Sequence, residues 1–161
     1  MGKFEEVYTE NYRAIYRVAQ KMLGNGCDAT DIIQEVFMDF FEKSKNGNVI
    51  KYPRSWLYRV ALNKCVDRIR KNKNHADIEI VGDKSDDSDF SEKHELKTIV
   101  DIALSRIKPK EKMLAVLYSE GLSYKEIAGA TGIKASSIGK MLSRTLKKME
   151  HELKKLGYEV Y

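Results

Sequence analysis

The one tryptophan of the 161-residue sequence lies in a strongly basic segment, residues 53–73. If this segment is a helix that begins after Pro53, one broad face is apolar. The opposite face carries Trp56, Arg59, Asn63, Asp67 and Arg70. Because bases stack on aromatic rings while cations follow phosphates, this pattern is typical of a surface for single-stranded nucleic acid. The alternative is that Trp56 covers the rim of a small core and the arginines are merely solvated.

A second group of polar side chains accompanies a predicted helix over residues 28–43, which Asp28 could cap. Its apolar stripe is Ile32, Ile33, Val36, Phe37, Phe40 and Phe41. The polar face carries Asp31, Gln34, Glu35, Met38 and Glu42. Asp31 and Glu35 could serve acid–base catalysis only beside a histidine or metal-ligand partner, and none is near in the sequence. A methionine among acids favours a protein-docking surface. A plain solvated helix face is the alternative.

The strongest local pattern is a helix-turn-helix in residues 124–144. Ser123 and Glu126 form a capping-box pair that opens the first helix. Ala128 is the small residue where the two helices pack, Gly132 is in the turn and Ile138 faces back from the second helix. The residues of the second helix expected to face the core are Ile138, Met141, Leu142, Thr145, Leu146 and Met149. The other side of that second helix suits a major groove, with bases read first and phosphates held later. It carries the candidate DNA-binding residues Ser136, Ser137, Lys140, Arg144, Lys147 and Lys148. The alternative is a helical hairpin with a solvated basic face.

The elements that must position these residues are helical. Hydrophobic residues make up 42% of the chain, only two prolines occur and no alternating Val/Ile/Thr run is present, which predicts an all-α fold. Residues 51–73 hold eight Lys/Arg and one acid, whereas residues 77–95 hold eight Asp/Glu and two lysines. The charge division predicts a helical domain over 1–73, a flexible acidic linker over 74–95 and a second helical domain over 96–161.

Several function classes are disfavoured by what the sequence lacks. Cys27, Cys65 and the three histidines are isolated, so no metal site, cofactor or catalytic residue is predicted. The first residues have no apolar signal core, and no apolar run reaches the roughly 18–20 residues of a membrane span. We therefore expect a soluble, cytoplasmic protein without membrane insertion. The net charge of +5 suggests no more than weak polyanion affinity.

Three segments in this order resemble the sigma factors of bacterial RNA polymerase. They are DATDIIQEVFMDFF, PRSWLYRVALNKCVDRIRK and, after the acidic stretch, EGLSYKEIAGATGI. The resemblance is to the extracytoplasmic-function (ECF) type, which keeps only regions two and four. It implies a region 2 helical bundle and a region 4 helix-turn-helix. It also implies a protein that is not an enzyme, with core RNA polymerase, promoter DNA and an anti-sigma factor as candidate partners.

The resemblance also implies roles for particular residues. Asp31, Gln34, Glu35 and Met38 would bind the β′ clamp helices of core RNA polymerase, and region 4 would bind the β flap. The loop Lys45 to Tyr52 would cradle a flipped non-template base. The −35 element would be read by the helix from Ala135. The −10 element would be bound, as its strands part, by Tyr52, Arg54, Trp56, Arg59, Asn63 and Arg70.

The chain departs from the usual family pattern at two places. The second helix of the helix-turn-helix has Gly139, Met141 and Leu146 where basic residues are usual, so phosphate contacts are expected to shift toward Lys147 and Lys148. The first helix has Gly129, Ala130 and Thr131 where a bulkier aliphatic residue is common, which predicts looser or slightly shifted packing there.

Two other functions remain open from the residues alone. A stand-alone helix-turn-helix regulator would bind duplex operator DNA without polymerase and would have no need of a tryptophan on a basic face. A small helical enzyme would use Asp31 and Glu35, but the sequence has no phosphate-binding glycine loop or nucleophile elbow to support it.

Overall fold

A computed structural model describes residues 2–24, 26–75 and 92–158 of the chain. Within these ranges the regular structure is entirely helical, which confirms the all-α prediction. The helices are α1 (Lys3–Leu23), α2 (Gly26–Lys45), α3 (Pro53–His75), α4 (Glu92–Ser105), α5 (Pro109–Ser119), α6 (Tyr124–Thr131) and α7 (Ala135–Lys155). Most of the predicted acidic linker, residues 76–91, lies outside the described residues.

The three N-terminal helices form a bundle around the predicted apolar stripes. Helix α1 packs on α2 and α3, and α2 packs on α3. Helix α2 begins at Gly26, so Asp28 lies in the first turn of the helix and does not cap it. The Asp28 carboxylate instead accepts a hydrogen bond from Arg68 Nη1 at 3.0 Å. Phe41 was expected in the core but its side chain is 48% exposed, because it lies at the open edge of α2 beside Phe4.

The four C-terminal helices contain the helix-turn-helix. A capping box opens α6: Glu126 N–H donates to Ser123 Oγ at 3.1 Å, and Ser123 N–H donates to Glu126 Oε1 at 3.3 Å. Gly132 ends the helix with φ of 78°, a conformation that glycine adopts without steric cost. Ile138 is fully buried, as predicted. Leu146 was expected to face the core, yet it is 40% exposed on the rim of a groove between α4, α5 and α7.

The N-terminal and C-terminal halves pack directly against each other. Helix α5 contacts α1 and α3, and α6 contacts α3. One continuous apolar cluster spans both halves and includes Met22, Leu57, Leu117 and Ile127. Lys112 of α5 also donates a hydrogen bond from its Nζ to the carbonyl oxygen of Met22 at the end of α1. The surfaces that carry the candidate residues therefore lie side by side in this structure.

Candidate nucleic-acid and protein interfaces

The acidic residues of α2 lie together on one exposed helix face. Asp31, Gln34, Glu35 and Met38, which we call the α2 surface, are all exposed, and the Met38 side chain is 62% exposed. Their spacing of three and four residues brings them to one side of the helix, while Ile32, Ile33, Val36 and Phe37 bury the other side. A thioether this open to solvent is unusual for a residue that only folds the chain, which favours a contact with another molecule.

One lysine partly neutralises this acidic face. Lys64 of α3 lies 3.4 Å from Glu35 Oε2 and 3.1 Å from Asp39 Oδ2. Burial acts to lower the pKa of Lys64, but the hydrogen bonds and charges of Asp39 and Glu35 outweigh it and raise the pKa above 10.5. Lys64 therefore stays charged beside Glu35 and Asp39.

A cavity opens where the loop before α3 meets the start of that helix. It has a volume of about 380 Å³ and is lined by Lys43, Val49, Ile50, Lys51, Tyr52, Ser55, Trp56, Arg59 and Gly129. The wall therefore combines two aromatic rings with several cations. Tyr52 is 67% exposed and Val49 is 84% exposed, so the loop side of the cavity is open to solvent. This combination is suited to an unstacked base with its phosphate.

Trp56 has two environments at once. Its ring is half-buried, lies 5.7 Å from the ring of Phe40 and has Lys43 Nζ 5.6 Å from its centroid. The remainder of the side chain lines the cavity. The sequence left two alternatives for this ring, exposure to nucleic acid or packing at the rim of the core. In the structure the side chain both packs on Phe40 and lines the cavity.

The remaining candidate −10 residues follow α3 along its exposed side. Arg54 lies 5.7 Å from the Tyr58 ring and forms an ion pair with Glu126 of α6 at 3.6 Å. Arg59 donates from Nη2 to the carbonyl oxygen of Gly129 at 2.9 Å. Asn63 and Arg70 are exposed further along the helix. Tyr52, Trp56 and Arg59 therefore share the cavity, Arg54 contacts α6 through Glu126, and Asn63 and Arg70 lie further along α3.

Helix α7 presents the predicted basic face to solvent. Ser136, Lys140, Arg144 and Lys147 are exposed, whereas Ser137 is half-buried. Lys148 is also exposed, but its Nζ lies 2.5 Å from Glu111 Oε1 of α5. Lys148 is therefore already neutralised by a carboxylate, which makes it a weaker candidate for a phosphate contact than Lys147.

The two departures from the family pattern have structural reasons. A Cβ atom on Gly139 would lie 3.3 Å from Cε2 of the Tyr124 ring, so the glycine lets this ring pack on α7. At Gly129, α6 packs closely against α3. A Cβ atom on Gly129 would lie 3.3 Å from Ser55 Oγ.

The sequence reasoning missed three residues of the cavity beside Trp56, which are Lys43, Ser55 and Gly129. Lys43 was grouped with the end of α2, although it lies one turn after Phe40 and so next to the tryptophan that packs there. Gly129 was noticed only as a departure from the family pattern. No local pattern assigns Gly129 to a cavity formed mainly by residues 43–59, because only tertiary packing brings α6 to α3.

An apolar groove of about 790 Å³ lies between α4, α5 and α7. Exposed apolar side chains form its walls: Leu96, Tyr118 and Leu146. Charged groups, among them Lys97 and Glu150, surround these walls. An apolar depression with a charged rim is typical of a site that binds an apolar segment of a partner.

The part of the chain that the structure describes holds no cluster of histidine, cysteine and acidic side chains suited to a metal ion. Cys65 is buried, and burial raises its thiol pKa to about 12. Among these residues no helix combines the length and apolarity needed to cross a membrane.

Comparison with known families supports the resemblance noted from the sequence. Sigma-70 region 2 matches residues 7–75, and Sigma-70 region 4 matches residues 99–149. The first match covers α1 to α3, which carry the α2 surface and the cavity. The second covers most of α4 to α7, including the helix-turn-helix.

Individual relatives agree with these matches. The chain is 30% identical to the RNA polymerase sigma factor SigV of Bacillus subtilis over 91% of this chain and 89% of that protein. It is 26% identical to the ECF RNA polymerase sigma factor SigE of Mycolicibacterium smegmatis over 99% of this chain, and spans 65% of that protein's length.

A solved structure shares the fold. The sigma factor RpoE from Bartonella quintana, in complex with the anti-sigma factor NepR, superimposes with a TM-score of 0.69 at 17% identity. The match covers 96% of this chain and 98% of that one. The chain belongs to the ECF group of RNA polymerase sigma factors, non-enzymatic subunits that direct promoter-specific initiation of transcription.

Proposed function

We propose that three surfaces of this chain divide the work of initiation. The α2 surface binds core RNA polymerase, the cavity beside Trp56 receives a base of the opening −10 element, and α7 reads the −35 element. The cavity carries this proposal, because it joins an aromatic ring, several cations and an open loop where the region 2 resemblance expects a flipped base. The protein works in the cytoplasm, where its polymerase and promoter are.

For the polymerase contact, the α2 surface is the candidate for the β′ clamp helices. The support is its exposure, its acidic charge and the open Met38 thioether. The apolar groove of α4, α5 and α7 is the candidate for the β flap, because region 4 carries it and its walls are apolar and open. A sigma factor bound at both places would be anchored through both halves.

For the promoter contacts, three of the predicted −10 residues, Tyr52, Trp56 and Arg59, line the cavity, and Arg54 lies in the first turn of α3. They would hold the separated −10 strand, with Asn63 and Arg70 following it along α3. On α7, Ser136, Ser137 and Lys140 would reach the bases of the −35 element, and Arg144 and Lys147 would hold phosphates. Lys148 would contribute only if it leaves Glu111.

The division of the chain into 1–73, 74–95 and 96–161 is part of this proposal. It is supported by the separate region 2 and region 4 matches, between which the acidic residues fall. The solved B. quintana relative is described in complex with an anti-sigma factor, and we propose a protein of that kind as a regulator of this chain.

Capture of core polymerase by the tagged protein tests the proposal. The wild-type chain is expected to retain the polymerase, and Asp31→Arg/Glu35→Arg is expected to lose it because the acidic face becomes basic. Lys64 keeps Asp39 as its partner in this variant. Glu6→Arg/Glu10→Arg is the matched control, since it makes the same charge change at the same four-residue spacing on the exposed side of α1.

The possible outcomes distinguish an error about the function of the chain from an error about the surface that binds polymerase. If the wild-type chain does not capture polymerase but binds duplex DNA tightly, the protein is a stand-alone regulator and the proposal fails. If the Asp31/Glu35 variant is captured as well as the control, the chain is a sigma factor that uses another surface for the clamp.

A further inference from the structure

A basic cleft lies between the turn that joins α4 to α5 and the second half of α7. Its volume is about 440 Å³. We call it the α7 cleft. Its lining combines four Lys and Arg side chains with two carboxylates, which leaves a net positive charge. These six residues are Arg106, Lys108, Glu111, Lys147, Lys148 and Glu152.

The cleft continues the basic face that α7 presents to solvent. Lys140, Arg144 and Lys147 follow one another at intervals of four and three residues, which places them on one side of the helix. From Ser136 to Lys147 the helix rises by about 16 Å, at about 1.5 Å per residue, whereas the major groove is about 12 Å wide. When Ser136 lies at base edges, a helix that crosses the groove therefore brings Lys147 and the cleft to the backbone at the edge of the groove.

Two cations of the cleft are available to an anion without any rearrangement. Lys108 and Lys147 are both exposed, and neither forms an ion pair with any residue that the structure describes. They come from different elements, the turn and the helix, so a phosphate between them would contact both walls of the cleft. The DNA backbone that α7 faces supplies phosphates at this place.

The other two cations have carboxylate partners. Lys148 Nζ lies 2.5 Å from Glu111 Oε1, and Arg106 Nη1 lies 3.5 Å from Glu152 Oε2. Glu111 lies in the first turn of α5, where the helix dipole stabilises a carboxylate. The Lys148 side chain is 52% exposed and that of Glu111 is 21% exposed. Because the lysine has the longer and more exposed side chain, it is the partner that can turn toward a phosphate.

We propose that the α7 cleft binds the DNA backbone at the flank of the −35 element, and that Glu111 competes with a phosphate for Lys148. The proposal deepens the function proposed for α7 and rests on it. Lys108 and Lys147 bind phosphates directly, whereas Lys148 first leaves Glu111. Because these contacts are made to phosphates, they add affinity without adding sequence preference.

The salt dependence of promoter binding tests the cleft. The full chain, in complex with core polymerase, is bound to a duplex promoter at several salt concentrations. Each lost phosphate contact lowers the slope of log affinity against log salt concentration by about 0.9. Arg106→Ala/Lys108→Ala is therefore expected to lower the slope by about 0.9–1.8 and to weaken binding equally for different −35 sequences. Lys3→Ala/Arg13→Ala is the matched control with the wild-type slope, since it removes one lysine and one arginine from the exposed side of α1.

The variant Lys140→Ala distinguishes failure of the cleft from failure of the function proposed for α7. If the cleft variant keeps the wild-type slope while Lys140→Ala weakens binding, the backbone does not enter the cleft and the proposal is overturned. The cleft would then be open to an acidic partner protein. If both variants bind the promoter as the wild type does, α7 does not read the −35 element.

Removal of the Glu111 charge tests the competition for Lys148. Glu111→Gln keeps the shape of the side chain and frees the lysine, so it is expected to tighten promoter binding and to steepen the salt slope by about 0.9. This gain should vanish in Glu111→Gln/Lys148→Ala. Glu95→Gln, the same charge change on the exposed side of α4, should leave the slope unchanged. Equal slopes for Glu111→Gln and Glu95→Gln would show that Glu111 does not compete with DNA.

Discussion

Replacement of Trp56 by alanine removes two kinds of contact, and the loss of each can be measured separately. The variant loses the contact with Phe40, the charge of Lys43 over the ring and the aromatic wall of the cavity. The first two stabilise the fold, and the third is available to a base. The two losses are therefore expected in different measurements.

The magnitudes follow from these contacts. An aromatic pair contributes about 0.5–1.5 kcal/mol and an exposed cation–π contact about 0.5–1 kcal/mol, so Trp56→Ala is expected to destabilise the fold by about 1–2.5 kcal/mol. Stacking of one base contributes about 1–3 kcal/mol. Because about 1.4 kcal/mol corresponds to a tenfold change, loss of this stacking free energy is expected to lower the rate of promoter opening by roughly 5- to 150-fold.

The assay is the rate of open-complex formation with core polymerase on a duplex promoter, measured beside thermal unfolding of the free protein. Phe40→Leu is the matched control, because it removes the ring contact from the buried side and leaves the tryptophan in the cavity wall. We expect the control to lose stability without a comparable loss of opening rate. If Trp56→Ala lowers stability but the promoter opens at the wild-type rate, the ring only packs at the rim of the core and does not contact a base.

Two further expectations concern the other surfaces. Arg144→Ala should weaken promoter binding by about 1.5–3 kcal/mol, the loss typical of a hydrogen bond to a charged group. Transcription from a promoter that needs its −35 element should therefore fall, while polymerase capture and activity on a promoter without that element should not change; wild-type activity of the variant on the −35-dependent promoter would remove Arg144 from −35 binding. Burial acts to raise the pKa of Glu120, but the hydrogen bonds from Lys21 and Arg17 outweigh it and hold the pKa below 4.5. The contact of Glu120 with α1 should therefore be stable above pH 4.5 and weaken as pH falls further. A distance measurement between the halves checks this, and an identical acid response of Glu120→Gln would contradict it.

The helices and their buried faces were predictable because the pattern that forms them is local. Apolar spacing predicted α1 to α7, and Ser123 and Glu126 predicted the start of α6 through a hydrogen-bonded pair only three residues apart. Exposure of the α2 surface followed from the same periodicity. Asp28 shows the limit of such reasoning, since a cap and a residue of the first turn differ by a position that local sequence does not resolve.

The contacts between the halves depended on tertiary structure. Gly129 and Ser55 are 74 residues apart in the sequence, and neither carries a local signal for the other. Trp56 was ambiguous for the same reason, because its environment is set by Phe40 and Lys43 of another helix. By itself the sequence determined the helices, their apolar faces and the resemblance to sigma factors, since each depends on residues within a few turns. Only the packing of α6 on α3 decided that the cavity of one half is closed by the other, because that contact joins surfaces whose partners lie far apart along the chain.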